Sequence, residues 1–459
     1  MPRGRRLTWF TCLLACTLAS VPAARGGSIS DEKELGRKFD LEARAHLPLI
    51  DDVEVTDYVN RVGRKIVGAL NDQTFTYQFQ VVRDPHINAF AVPGGYIYAH
   101  AGLLMRASND DELAGVLGHE IAHVNAHHLA RQQEATQLMN YASLLGIVLS
   151  AIQPAIGAGA IAANAAVQLQ YRREFEQEAD YLGSRYMRAA GYDPRGMLDF
   201  FKKMLDEQRT TPTFVPPYLL SHPLTDKRLT NLEAVLRTHQ WDSGPRRRTS
   251  LELERVQLLT RARSEPAQDV VTLYRRGAEA QPTDGRSRYL FGLAQLETGA
   301  VDAARATLEA ARRLGFGQVD RELGRAWLRL RQLDKAREAL RRATEIDPDD
   351  AVGHLELAKV LEALNDTPGA TREYERALQL APELAEAHYG FGILAGRAGQ
   401  QGDGFYHLAV AYKLRGEYDK AVSQFEKAEP LLPLGSAQAQ TARAEIEELR
   451  EYLRHSRGR

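Results

Sequence analysis

The spacing of apolar side chains divides the 459-residue chain into predicted helices and strands. From residue 28 onward, apolar residues recur at the spacing of an amphipathic helix. They include Leu35, Phe39, Leu41, Val59, Val62, Ile66 and Val67. After Asn71 the interval becomes two, as in a half-buried strand. The alternating apolar residues are Phe75, Tyr77, Phe79 and Val81. We therefore predict a helical start followed by a strand.

Two further strands are predicted on either side of Pro93-Gly94-Gly95, because this tripeptide favours a turn or bulge. Proline cannot donate a backbone hydrogen bond, so it confines its strand to the edge of a sheet. The unpaired backbone of an edge strand can hold an extended peptide. The candidate substrate-binding residues are Gly95, Tyr96, Ile97 and Tyr98. An ordinary hairpin with no binding role is the alternative.

The next predicted helix carries the most specific chemical pattern. Its capped start is indicated by Asn109, with Glu112 three residues later. His119, Glu120 and His123 then form the sequence His-Glu-x-x-His. Two imidazoles four residues apart share one helix face and can bind one zinc ion. The glutamate between them is placed to take a proton from water at the metal.

Catalytic zinc takes three protein ligands and keeps one position for water, so a third ligand is needed. His127 is excluded because two helical turns, about 12 Å, separate it from His119, and we assign no metal role to His128. A later acidic segment supplies carboxylates on a second predicted helix: Glu174, Glu176, Glu178 and Asp180. Glu176 and Asp180 are four residues apart and share a face. One can bind the metal while the other orients a ligand imidazole.

Composition limits the class of protein. Apolar residues make up 44% and charged residues 26%, which is typical of a globular protein, and the length favours at least two domains. The formal net charge of −1 leaves no basic excess to neutralise phosphates, so a nucleic-acid partner is not expected.

The first residues predict a secretory signal, residues 1–23. Arginines precede an apolar run from Leu7 to Val21, and the small residue Ala23 follows at the expected cleavage site. Both cysteines, Cys12 and Cys16, lie in this segment, so the mature chain would have none. As an alternative, the residues before Cys16 resemble a lipoprotein box, with Cys16 as the lipid anchor.

A polar segment with Gly244-Pro245 predicts a boundary after residue 242. Beyond it, Ala336 and Ala370 stand 34 residues apart, which is the period of tetratricopeptide helix pairs. Ala421 follows Ala370 by one period plus half, so about half a repeat is inserted near residues 396–404. Such arrays bind peptides or partner proteins, and shielding the preceding domain is the alternative.

Together these motifs resemble those of the HtpX-like and Ste-type zinc endopeptidases. The matching segments are His119 to His123, Glu176 with Asp180, Asn88 to Gly95, and His222-Pro223 with Arg228. The resemblance covers about residues 30–235. It implies an α+β fold of the gluzincin type of zincin, mostly helical with a small edge-strand sheet.

The resemblance also implies the roles of individual residues. One zinc ion per chain would be bound by His119, His123 and Glu176. Glu120 would be the general base, and Asp180 would contact one of the ligand imidazoles and hold it in orientation without binding the metal itself. His222 or Arg228 could stabilise the oxyanion. Alternatively, His222 could occupy the fourth zinc position and keep the enzyme latent.

A signal segment, a peptidase domain over residues 24–242 and an all-α tetratricopeptide solenoid over residues 243–459 resemble the BepA-like periplasmic proteases. That resemblance implies cleavage of unfolded or misassembled envelope proteins, and contact with the outer-membrane protein assembly machinery through the repeats. A chaperone or scaffold with little or latent proteolysis is the alternative. The apolar stretch Tyr141–Val167 is predicted to form a packed helical hairpin, with peripheral membrane contact as the alternative.

Overall fold

A computed structural model describes the greater part of the chain, namely residues 29–71, 74–136, 173–210 and 215–457. The predicted signal segment, with both cysteines, and the predicted hairpin Tyr141–Val167 lie outside the described residues. No helix among the described residues has both the length and the apolar character needed to cross a membrane.

The N-terminal part begins with two helices and a small sheet. Its first elements are α1 (Ile29–His46), α2 (Val53–Val67), β1 (Gln78–Val82), β2 (Ala89–Val92) and β3 (Tyr96–His100). The predicted strand is thus present as β1, but it is buried on both faces and is not half-buried, since Gln80 and Val82 are buried as well. The four predicted inward-facing residues around β1 are all buried: Phe75, Tyr77, Phe79 and Val81.

The order of strands in the sheet is β1-β3-β2. β1 runs parallel to β3, with Gln78 opposite Tyr96, and β2 runs antiparallel to β3, with Ala89 opposite Ala99. Because β3 is hydrogen-bonded on both sides, the prediction that its residues form an edge strand is wrong. It concerned Gly95, Tyr96, Ile97 and Tyr98. Pro93 follows β2, so the proline rule marks β2 as the edge strand.

Seven more helices of the N-terminal part lie among the described residues. They are α3 (Ala101–Arg106), α4 (Asp110–Asn125), α5 (His128–Thr136), α6 (Arg173–Ala189), α7 (Arg195–Thr210), α8 (Pro217–Ser221) and α9 (Asp226–Thr238). α4 begins as predicted, since the Asn109 side chain accepts a hydrogen bond from the Glu112 N–H at 3.0 Å. Every residue of α4 from Asp111 to Val124 is buried. This helix is the centre of the core, with α2, α6, α7 and β2 packed against it.

The C-terminal part is a succession of helix pairs. They are α10 (Leu251–Ser264), α11 (Ala267–Ala280), α12 (Gly285–Glu297), α13 (Val301–Arg313), α14 (Asp320–Arg329), α15 (Leu333–Ile346), α16 (Ala351–Ala363), α17 (Thr367–Leu380), α18 (Ala385–Arg397), α19 (Gln401–Leu414), α20 (Tyr418–Ala428) and α21 (Ala437–Arg457). Ala336 and Ala370 are fully buried at corresponding positions of α15 and α17. Near the predicted half repeat, α19 packs extensively against both α18 before it and α20 after it, so three consecutive helices pack in sequence there.

Two repeat helices, α10 and α14, contact the N-terminal part through ion pairs. The Glu54 carboxylate accepts hydrogen bonds from Arg255 at 2.6 Å and from Arg321 at 2.8 Å. Asp52 accepts one from Arg263 at 2.8 Å. Buried charges are retained only when they are paired, so these contacts fix α2 against the repeat helices.

The last repeats contact α1 through a hydrogen bond and a close backbone approach. The Tyr418 hydroxyl donates to the Leu41 carbonyl oxygen at 2.9 Å. Gly416 has φ +73, and a Cβ there would lie 2.3 Å from the Arg44 carbonyl oxygen. Only glycine allows this close approach. The N-terminal part therefore occupies a face of the repeat array from its first pair to its last.

A pair of histidines lies between α18 and α19. The Nδ1 atoms of His388 and His407 are 2.8 Å apart, and His388 Nε2 is 2.9 Å from the Pro382 carbonyl oxygen. Because a carbonyl can only accept, His388 Nε2 carries a hydrogen, and its Nδ1 accepts the hydrogen of His407 Nδ1. Burial lowers the pKa of His407 to about 3 and also lowers the pKa of His388.

We expect the free energy of unfolding to fall between pH 7 and pH 5, in part because of His407. Its pKa is lower in the folded state than the unfolded value of about 6.5. Below that pH the unfolded state therefore binds a proton that the folded state does not, and stability declines with falling pH. For one such group the loss between pH 7 and pH 5 is about 2 kcal/mol. His407→Phe keeps an aromatic ring and should remove most of this loss in urea unfolding.

The control for this prediction has the opposite sign. Glu373 accepts a hydrogen bond from His354 and raises the pKa of that imidazole. His354→Asn should therefore make the loss of stability on acidification larger, not smaller. An unchanged pH dependence in His407→Phe would contradict the assignment.

Candidate metal centre

Two helices approach closely enough to bring the predicted site residues together. α4 and α6 cross at Gly118 and Gly183, where a Cβ on Gly183 would lie 2.9 Å from the carbonyl carbon and oxygen of Gly118. A side chain at this crossing would push the helices apart. The small residues therefore allow the motif histidines of α4 to face the acidic residues of α6.

Four buried side chains converge at this crossing: His119, His123, Glu176 and His222. Each offers one ligand atom, and these atoms all lie within 4.8 Å of one another. His123 Nε2 is 3.0 Å from His119 Nε2 and 3.4 Å from Glu176 Oε1, while His222 Nδ1 is 3.0 Å from the same oxygen. Three imidazole nitrogens and a carboxylate oxygen around one point form a donor set suited to a metal cation.

Asp180 and Arg228 lie directly behind these ligands. His119 Nδ1 is 3.0 Å from Asp180 Oδ1. The Arg228 guanidinium donates to both Asp180 oxygens at 2.8 and 2.7 Å and to the Pro223 carbonyl oxygen at 2.9 Å, and it lies 2.6 Å from Glu176 Oε2. These contacts engage all three of its nitrogens. These contacts favour a structural role for Arg228, holding two carboxylates in place, over its interpretation as an oxyanion donor.

Glu120 faces the same centre and lies next to Tyr218 and His222. Both of its carboxylate oxygens are buried, and among the described residues neither has a partner at hydrogen-bonding geometry. His222 Nε2 lies 3.7 Å from Glu120 Oε1. The His222 ring is itself stacked on the Tyr218 ring at 4.7 Å. A buried carboxylate without a partner marks a position for water or a reacting group.

The helix that carries the motif ends earlier than we expected. α4 stops at Asn125, and His127 adopts φ +52, so the chain changes direction there. α5 then begins at His128, whose Nδ1 lies 2.9 Å from His123 Nδ1. We had assigned no metal role to His128, and its contact with His123 arises because the chain turns at His127. No glycine or proline announces the break, so the sequence holds no clear signal for this contact.

The surroundings set the protonation of these groups. Burial alone would raise the pKa of Glu176, but the neighbouring histidines and arginine hold it well below its usual value. Burial lowers the pKa of His123 well below its usual value. Burial would also lower the pKa of His119, but the Asp180 and Glu176 carboxylates outweigh it and raise the pKa to about 9. Burial raises the pKa of Glu120, as suits a group that accepts and returns a proton.

The architecture and this site have counterparts in known families. Residues 54–236 match the model of peptidase family M48, and residues 289–351 match a tetratricopeptide repeat model. The chain carries a family M48 metallopeptidase domain. This confirms the resemblance inferred from the motifs and the prediction of a metal-dependent endopeptidase. It also confirms the order of a peptidase followed by helical repeats.

Individual relatives extend this similarity. The beta-barrel assembly-enhancing protease of Escherichia coli is 28% identical over 95% of this chain and 92% of its own length. That of Yersinia pestis is 35% identical, but the match covers 44% of this chain and 43% of the relative. The mitochondrial metalloendopeptidase OMA1 of Schizosaccharomyces pombe is 29% identical over 39% of this chain and 53% of its own.

Solved structures add less. The crystal structure of MamA is 18% identical and covers 34% of this chain and 91% of its own, with a TM-score of 0.29. A TM-score this low carries no argument about the site or its function.

The residues of the M48 domain fit a bound metal ion. Their donor atoms are two or three imidazole nitrogens and one carboxylate oxygen, a set that suits zinc. Each of the two motif histidines also has its second ring nitrogen next to another side chain, as metal-binding histidines usually do.

We expect Glu176→Gln to weaken zinc binding at least tenfold, which is about 1.4 kcal/mol. The substitution keeps the size of the side chain and removes the charge that would contact the cation. Affinity is measured by competition with a chelator. Glu174→Gln, at the exposed start of the same helix, is the matched control and should bind zinc as the unchanged protein does. Full affinity in Glu176→Gln would show that another carboxylate is the ligand.

Proposed function

We propose that this protein is a zinc-dependent endopeptidase of the bacterial periplasm that cleaves misfolded or stalled envelope proteins during outer-membrane protein assembly. The observation that carries the proposal is the buried set of His119, His123 and Glu176 beside Glu120, whose carboxylate oxygens have no partner at hydrogen-bonding geometry among the described residues. The biological setting rests on similarity to the Escherichia coli beta-barrel assembly-enhancing protease along 95% of this chain. The predicted signal segment supports export.

The chemistry divides between the metal and the protein. When bound, one zinc ion per chain supplies a Lewis acid that polarises the peptide carbonyl and makes water more acidic. His119, His123 and Glu176 would hold it, and Asp180 would fix the ring of His119. The Glu120 carboxylate takes the proton of the attacking water and returns it to the departing amine.

The substrate backbone is best placed along β2. This strand packs against α4, which carries the motif, and its outer edge pairs with no other described strand. An extended peptide added there would obtain backbone hydrogen bonds beside the metal ligands. β2 thus replaces the residues of β3 that we first named as the substrate strand.

Glu120→Gln should abolish peptide cleavage while leaving zinc binding intact, because it removes the proton acceptor and keeps all proposed ligands. Loss of general-base action alone lowers the rate by about 10²- to 10⁴-fold. The same variant is then tested for complementation in cells that lack the protein. Full complementation would favour the alternative, a chaperone or scaffold whose proteolysis is rare.

His222 is proposed to keep the enzyme latent. Its imidazole lies within the same cluster as the three proposed ligands, at the position that a catalytic zinc leaves for water. Occupying that position excludes water from the centre. Stacking on the buried Tyr218 holds the ring in place.

His222→Ala should raise or deregulate proteolysis, because it vacates the fourth position. The measurement is the rate of cleavage of an unfolded protein substrate by the variant and the unchanged protein at equal zinc content. A simple loss of cleavage with normal zinc content would instead assign His222 to transition-state stabilisation.

The repeats are proposed to bind client proteins and the assembly machinery. The face formed by α10 and α14 is already in contact with α2, so partners would use the remaining surface. A cavity of about 760 Å³ lies where α2 meets these helices. Its lining includes exposed Ile346 and several acidic residues. Peripheral membrane contact, or a lipid anchor on Cys16, would place the remaining surface of the repeats near the membrane.

A further inference from the structure

His128 sits against the metal site although no sequence motif assigned it there. It is fully buried, and its Nδ1 lies 2.9 Å from Nδ1 of His123. The other ring nitrogen of His123, Nε2, points at His119 and Glu176. The two nitrogens of His123 therefore have separate surroundings, one facing the proposed metal position and one facing His128.

The position of the hydrogens follows from this arrangement. If His123 Nε2 offers its lone pair to a metal, the neutral ring must carry its hydrogen on Nδ1. His128 Nδ1, 2.9 Å away, is in position to accept that hydrogen. A neutral His128 therefore carries its own hydrogen on Nε2.

The chain of contacts continues to a carboxylate. His128 Nε2 is 3.2 Å from Glu178 Oε2, and a carboxylate accepts the hydrogen that this nitrogen must carry. Arg131 donates to the same oxygen at 3.1 Å and holds it in place. The ring of His128 is stacked on Phe175 at 4.7 Å with an interplanar angle of 12°, which fixes its plane.

The arrangement parallels the one behind the other motif histidine. His119 Nδ1 contacts Asp180, and Arg228 holds that carboxylate. In both cases the ligand imidazole contacts an acceptor, and the series of contacts ends at a carboxylate that is held by an arginine. On the His123 side a second imidazole is inserted, because Glu178 is partly exposed and lies farther from the centre.

We propose that His128, together with Glu178, is a positioning residue that fixes the tautomer and the orientation of His123 for metal binding. The inference rests on the proposed metal site. It assigns to His128 the task that Asp180 performs for His119. Partners of this kind typically change metal affinity or activity by about 10- to 100-fold when they are removed.

The experiment measures zinc affinity of the full chain by chelator competition, together with the visible spectrum of the cobalt-substituted protein. His128→Leu removes the acceptor and should weaken zinc binding about 10- to 100-fold and alter the cobalt spectrum. His128→Asn returns an acceptor oxygen near the position of Nδ1 and should recover at least part of the affinity. Glu178→Ala, at a partly exposed position, should weaken binding without disturbing the core.

Two neighbours provide matched controls. His127→Asn changes the adjacent histidine, whose Nδ1 contacts Glu32 at 3.0 Å, and asparagine tolerates its positive φ. Glu174→Ala changes an exposed acid on the same helix as Glu178. Both variants should bind zinc within twofold of the unchanged protein.

The outcomes separate this inference from the proposed function. An unchanged protein that binds no zinc would overturn both. Normal zinc binding and normal cobalt spectra in His128→Leu and Glu178→Ala would overturn the positioning role alone. Equal losses in His128→Leu and His128→Asn would also overturn it, since they would show that packing and not the hydrogen bond is responsible. If His128→Leu does not fold, Glu178→Ala against Glu174→Ala decides the question.

Discussion

The packing of α4 against α6 is the constraint on which the catalytic centre depends. Three carboxylates, four imidazoles and one guanidinium are out of water around it, and such groups are tolerated only when their partners compensate for the lost hydration. Arg228 does so for Asp180 and Glu176 together. Removing one partner of a buried pair typically costs about 3–5 kcal/mol, so the centre is stable only as a complete set. The requirement explains why residues from α4, α6 and α9 meet at one point.

Under the proposed function, the same packing would also keep the centre closed. His222 follows the short helix α8, whose Tyr218 is fully buried in the main core. Withdrawing the imidazole therefore means disturbing the packing of α8 as well as breaking its contact with Glu176. A ligand can shift such an equilibrium only by binding the open state more tightly than the closed one. Under the proposed function, a client or partner protein would have to supply that difference.

Under the proposed function, the contacts of the repeat helices could carry the effect of partner binding to the metal centre. Ion pairs at Glu54 and Asp52 fix the first pairs against α2, and Tyr418 and Gly416 bring the last pairs against α1. α2 in turn packs on the helix that carries the metal-binding motif. The repeats thus contact the peptidase domain near both ends of the array and do not extend from it as a separate arm. Under the proposed function, partner binding and proteolysis would therefore take place on one continuous packed structure.

Local sequence determined the parts of this protein that depend on residue spacing. The helical period placed His119 and His123 on one face, and the 34-residue period placed Ala336 and Ala370 in equivalent buried positions. The Asn109 side chain caps α4 by accepting a backbone hydrogen bond from its first turn. Each of these features follows from contacts within one turn, one helix or one repeat.

Tertiary structure decided what depends on the meeting of distant segments. Alternation identified the strands, but only the completed sheet placed β3 in the middle and β2 at the edge. Arg228 looked available for catalysis until the fold brought two carboxylates to it. His128 acquired a partner because the chain turns at His127, and the sequence marks that turn with neither glycine nor proline. The sequence determines the chemistry of each side chain, whereas the packing of the helices determines which side chains become its neighbours.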